Sequence, residues 1–159
     1  MNKNILALIF LIFSIFVISF LFLLGLDKVD NDNKILEPLF SEARVVFGSE
    51  VLFVQVAENQ SARTLGLSYR ESLDPYDGLL FIFEEYNRHG IWMKDMNFPI
   101  DILWLDYDMQ VVWLEKDVLP ESYPDIFHSP TPAWFVLEIP VGMSLEMGFE
   151  VGSKLELVR

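Results

Sequence analysis

Lys94 and Asp101 place a cation and a carboxylate within a strongly apolar stretch, residues 91–106, on either side of a turn at Pro99. An ionised group among buried side chains costs several kcal/mol unless a partner neutralises it. These two charges are therefore expected to meet each other or another charge nearby. Other residue types that carry chemistry are sparse. His89 and His128 are the two histidines, too far apart in sequence to suggest a ligand pair, and each reads as a surface or strand-end residue. Asp106 and Asp108 resemble the start of a calcium loop, but the alternating oxygen ligands and the closing glutamate are missing, so a hairpin turn explains them better. Ser61, Ser68, Ser72 and Ser144 lie in no nucleophile elbow, and there is no Gly-rich phosphate loop. Met93, Met96, Met143 and Met147 read as gap-filling core. No metal or other cofactor is implied.

Composition narrows the field further. Cysteine is absent, which removes disulfides, thiolate nucleophiles and Cys-based metal sites. Acidic residues number 24 against 11 Lys and Arg, a formal charge of −13. Such a surface repels phosphate backbones and anionic headgroups, so neither nucleic acid nor acidic lipid is an expected partner. The chain is 52% hydrophobic and 14% aromatic, ample for a packed core.

The elements that must position these residues fall into three parts. Residues 5–26 form an uncharged apolar run interrupted by Ser14, Ser19 and Gly25. As a helix it would extend roughly 33 Å, enough to cross a hydrocarbon core of about 30 Å. It ends without a small-x-small cleavage site, so residues 1–26 read as a signal anchor, with secretion after signal cleavage as the alternative. The charges around it favour a cytoplasmic N-terminus and a domain outside. Residues 27–42 form a polar tether, where Pro38 discourages a continuous helix.

Residues 43–159 read as one domain built mostly of strands. Runs at 44–47 and 51–57 flank Gly48-Ser49-Glu50 as a hairpin. Asn59 then caps a short helix, and Asp74-Pro75-Tyr76-Asp77-Gly78 has the chemistry of a turn. Residues 79–83 form an unbroken apolar run, hence a strand buried on both faces. Further strands are expected at 89–93, 101–106 and 110–115, the last two joined through Asp106-Tyr107-Asp108-Met109. Residues 118–132 carry Pro120, Pro124, Pro130 and Pro132 and read as loop. A strand at 134–139, a short helix within 141–147 ended by Gly148, and a strand at 154–158 complete the chain. The fold class is α+β and β-dominated: a small mixed or antiparallel sheet, or a partly closed barrel, with one or two short helices after the transmembrane helix.

The order of several segments is distinctive. These are Arg63-Thr64-Leu65-Gly66-Leu67-Ser68-Tyr69-Arg70, Asp77-Gly78-Leu79-Leu80-Phe81, Trp92-Met93-Lys94-Asp95 with Pro99-Ile100-Asp101, and Phe135-Val136-Leu137-Glu138 with Gly142. Together they resemble the domain of unknown function 192 family, over nearly the whole non-anchor part of the chain. The resemblance implies a small β-rich domain, often exported or membrane-tethered, with no activity to carry over. It assigns the family's paired arginines to Arg63 and Arg70, its lysine to Lys94, and its acids to Asp101 and Glu138. The chain departs from the family pattern at Ser68 and Leu79, where methionine is usual, at Asp95 in place of asparagine, and at Met109 in place of a turn glycine.

Those five charged residues admit two readings. In one they form a structural network, with buried cations neutralised by carboxylates and strand-end carbonyls. In the other, one or two cations enter a shallow cleft walled by Tyr69 and Trp92, where Arg70 forks two hydrogen bonds to a carboxylate or phosphate. The function this supports first is a membrane-tethered extracytoplasmic binding domain that engages an envelope component or a partner protein. Hydrolysis of an envelope glycan through Asp101 and Glu138 is the enzymatic alternative, although pairing with Arg or Lys would lower the pKa that a general acid needs. A purely structural assembly domain is the third.

Overall fold

The computed structural model describes residues 39–159. The proposed anchor, residues 1–26, and the tether up to residue 38 lie outside the described residues. Among the described residues no helix is long and apolar enough to cross a membrane.

Among the described residues, nine strands and two short α-helices make up the fold. In chain order they are β1 (Ser41–Phe47), β2 (Glu50–Ala57), α1 (Gln60–Leu65), β3 (Gly78–Asn87), β4 (Gly90–Ile91), β5 (Ile100–Leu105), β6 (Val111–Val118), β7 (Phe127–His128), β8 (Ala133–Pro140), α2 (Met143–Glu146) and β9 (Glu156–Val158). Seven strands form one mixed sheet in the order β6-β5-β8-β3-β2-β1-β9. Its β2–β3 pair is parallel and the other neighbours are antiparallel. The parallel pair needs a crossover, which residues 58–77 supply, including α1.

The segment before β9 meets the start of β6 and the residues that precede it. Gln110 bridges Lys154, Val111 N–H donates to Ser153 O at 2.9 Å, and Leu155 N–H donates to Met109 O at 3.0 Å. The sheet is thereby curled, with its two edges joined at one end. β6 is joined in this way only at its start, and its pairing with β5 shifts register between Ile100 and Ile102, where Asp117 takes a φ of 54°.

Alternation along the strands builds two cores. Val45, Val54, Leu80, Leu103, Leu137 and Leu155 fill the side that the curled sheet encloses. Leu79, Phe81, Ile102, Trp104 and Val136 face outward, where Leu67, Leu73, Met93 and Phe40 cover them. β5 is buried at every position, because both of its faces are packed. Met93 is in the core, and Met96, Met143 and Met147 pack against the clusters.

The expected strand at 89–93 shortens to Gly90–Ile91, and the proline-rich segment contains a strand of its own. β4 and β7 pair as a separate two-stranded sheet. Five residues between Pro124 and Pro130 leave room for this pairing, and Gly90 permits it. A Cβ there would lie 2.6 Å from both His128 Cε1 and Ile126 Cγ2.

Candidate functional site

Helix α1 begins where Asn59 Oδ1 accepts a hydrogen bond from Ala62 N–H at 2.9 Å, the usual role of an N-cap side chain. This fixes Arg63, whose Nη1 donates to Glu58 O at 2.8 Å and to Ile82 O at 2.9 Å. Its Nη2 lies 3.5 Å from Glu84 Oε1, and its guanidinium stands over Phe83, 5.7 Å from the ring centroid. Arg63 therefore ties α1 to β3 and is satisfied by strand carbonyls.

After α1 the chain passes Gly66 and reaches the loop at Ser68 and Tyr69, which is fastened to the loop at Lys94 and Asp95. Ser68 Oγ donates to Lys94 O, Tyr69 N–H donates to Asp95 O, and Tyr69 Oη donates to Asp95 Oδ2, each at 2.7 Å. Tyr69 and Asp95 both adopt left-handed backbone, φ 64° and 55°, a conformation uncommon outside glycine and one that needs surrounding structure to hold it. The hydrogen bond to Asp95, with the charge of that carboxylate, raises the Tyr69 phenol above its ordinary pKa.

Two connected depressions result. A groove of about 490 Å³ runs between α1 and the Lys94 loop. A smaller cavity of about 50 Å³ lies beside it and shares Thr64, Leu65 and Ser68 with the groove. Arg63, Phe81, Trp92 and Glu138 also line the cavity, with Leu67, Ile91 and Met96 among its apolar wall. Trp92 is 44% exposed, stands edge-on to Tyr123 at 6.3 Å, and carries Lys94 Nζ 5.8 Å from its ring centroid.

Glu138 is the unusual member. Its neighbours in register are Leu79 on β3 and Ile102 on β5, both on the outward face. It is 4% exposed, and its Oε2 has no hydrogen-bond partner among the described residues. Burial pushes its carboxyl up to about 8, against the smaller downward pull of the Arg70 charge. At neutral pH it is mostly a neutral acid, with a proton to donate and an oxygen to accept.

Asp101 stands elsewhere. Its partner in register is Ile139, on the enclosed face. Its carboxylate accepts three backbone hydrogen bonds, from Asp117 N–H at 3.0 Å, Gly142 N–H at 3.0 Å and Ser144 N–H at 3.1 Å. The expectation that Lys94 and Asp101 meet each other or another nearby charge is not met among the described residues. Backbone amides supply what a cation was expected to supply, and Lys94 is exposed on the groove. Arg70 also differs from its expected place. Its guanidinium stands over the Phe40 ring at 5.1 Å and lines neither depression; burial lowers its pKa and the Glu138 charge offsets this. Of the proposed residues, Arg63, Trp92 and Glu138 share the cavity, Tyr69 and Lys94 line the groove, and Asp101 serves a different corner of the fold. Sequence reasoning did not single out Gln60 and Thr64 and weighed Ser61 only as a nucleophile, although the Asn59 cap signalled that they begin a helix; Asp95 stood out only as a departure from the family pattern. Among the described residues no group of His, Asp and Glu side chains is placed to hold a metal ion.

The family model DUF192, described as an uncharacterized ACR family, matches residues 44–157. The chain belongs to the DUF192 family. Two solved structures share the fold of this DUF192 domain. A candidate transcription regulator from Sinorhizobium meliloti 1021 is 31% identical with a TM-score of 0.69, and the match covers 74% of this chain and 95% of that one. A protein of unknown function from Novosphingobium aromaticivorans DSM 12444 is 23% identical with a TM-score of 0.65, covering 74% of this chain and 84% of that one. No curated protein matches the chain.

Proposed function

We propose that this DUF192 domain is a binding module, held by the N-terminal apolar segment on the outer face of the cytoplasmic membrane, that takes a polar group of an envelope component into the Glu138 cavity. One observation carries the reading: Glu138 Oε2 is buried with no hydrogen-bond partner among the described residues, and Glu138 lines a cavity that adjoins a groove. Buried polar atoms are almost always paired, and leaving one unpaired costs roughly 1–3 kcal/mol. A ligand hydroxyl that reached the carboxyl would remove that cost. The net charge of −13 speaks against nucleic acid as the partner.

The test uses the full chain in detergent micelles and a water-soluble extract of envelope material. The extract is expected to raise the unfolding midpoint of the natural protein and of Glu138→Gln, but not of Glu138→Leu. An equal response from all three overturns the site. Protease added outside intact cells is expected to remove the domain; complete protection overturns the location.

The same carboxyl favours a second reading, hydrolysis of an envelope glycan, because a general acid must keep its proton near neutral pH. Such chemistry asks for a second carboxylate roughly 5–9.5 Å away, and Asp101 faces the other side of the sheet. Release of reducing ends that disappears in Glu138→Gln would favour the enzyme over the binding module.

A further inference from the structure

Resting on the binding reading above, we infer that the occupant is a neutral saccharide that lies in the groove and sends one hydroxyl to Glu138. The composition of the groove is the main argument. Gln60, Ser61, Thr64, Ser68 and Tyr69 line it with amide and hydroxyl groups, and Leu65 is its one aliphatic side chain. Lys94 and Asp95, the charged members, are of opposite sign and cancel. A wall of neutral groups that both donate and accept matches a ligand with many hydroxyls, since each hydroxyl also does both.

Charged ligands fit less well. A cation entering the cavity meets the Arg63 guanidinium in its wall, with Lys94 on the adjoining groove. An anion meets Asp95 on the groove and the strongly acidic remainder of the chain. Arg70, which would attract an anion, lines neither depression. The groove volume of about 490 Å³ lies within the roughly 300–1,000 Å³ usual for small-molecule sites. The cavity of about 50 Å³ admits a single functional group. At its wall the partly exposed Trp92 ring offers an apolar surface, as sites with few polar anchors commonly do.

The experiment titrates the full chain, in a detergent without a sugar headgroup, with soluble tetramers of glucose and of N-acetylglucosamine. A dicarboxylic acid and a diamine of similar length serve as charged probes. At least one tetramer is expected to raise the unfolding midpoint by about 5 °C at saturation and to change tryptophan fluorescence. Glu138→Leu should weaken that binding at least about tenfold, whereas Glu138→Gln, which keeps a donor and an acceptor, should hold it within about fivefold. A response to a charged probe alone, abolished by Glu138→Leu, overturns the saccharide and leaves the binding site standing. Saccharide binding that Glu138→Leu does not weaken overturns the assignment of Glu138. No response to any probe overturns the saccharide, and no response to the envelope extract as well overturns the binding reading with it.

Discussion

The Glu138 carboxyl and the Arg70 guanidinium feel each other's charge without forming an ion pair. Arg70 stands over the Phe40 ring, and Glu138 is left chiefly to the effect of burial. This separation makes Glu138 a hydrogen-bonding acid at neutral pH, where a contact pair would have made it a fixed anion.

Stability should therefore depend on pH through Glu138. Its carboxyl ionises near 4.5 in the unfolded chain and near 8 in the fold, so the folded state holds the proton more tightly. Below about 4.5 both states are protonated and ionisation of the residue costs nothing. Between the two values its contribution worsens by roughly 1.4 kcal/mol per pH unit, and above 8 the full cost is present. Urea unfolding of the natural protein and Glu138→Gln at several pH values is expected to show Glu138→Gln gaining relative stability from pH 5 to pH 8. Parallel curves would contradict the raised carboxyl.

Asp101 holds the loops at Asp117 and at Gly142 to Ser144 by accepting three backbone hydrogen bonds. Asp101→Ala leaves those donors unpaired and is expected to cost about 3 kcal/mol or more. In a chain that still folds, saccharide affinity should stay unchanged, because this corner lies apart from the groove. Calorimetry and titration of one preparation separate the two effects.

Gly78 lets β3 approach β8 at Glu138. A Cβ at Gly78 would lie 2.8 Å from Glu138 O and 3.2 Å from Ile139 Cγ2. Gly78→Ala is expected to cost about 2 kcal/mol through overpacking and to disturb ligand binding by shifting Glu138. Gly148 is a useful contrast, with φ 72° and no atom within 4 Å of a built Cβ. Gly148→Ala should cost about 1 kcal/mol from backbone conformation alone, with binding intact.

The Asn59 side chain accepts from Ala62 N–H and donates to Leu39 O at 3.2 Å. Asn59→Ala should destabilise the domain by about 1 kcal/mol. Because α1 carries Gln60, Ser61 and Thr64, the same change should weaken saccharide binding, measured by titration at a temperature where the variant is folded.

The strand pattern was readable because β2, β5 and β8 are runs rich in β-branched, aliphatic and aromatic residues, and because turn chemistry at Gly48, Asp77 and Asp106 punctuates it. The pairing of β4 with β7 was not, since two residues carry no period. At the site, residue types were legible and directions were not. Asp101 and Glu138 look alike in sequence, each a carboxylate beside apolar residues, and only register shows that they face opposite sides of the sheet. Arg63 meets the expectation of a cation neutralised by strand carbonyls. Arg70 and Lys94 meet aromatic rings instead, which local sequence does not specify.

The incomplete seam between β6 and the segment before β9 has a consequence for crowded copies. Beyond Val111, the free rim of β6 presents Glu115, Lys116 and Asp117, and the chain swings out of line at the left-handed Asp117. Charges and a bulge at an open rim deny a neighbouring molecule a flat template for strand addition. Copies packed densely beside one another would thus stay separate instead of growing into fibrils.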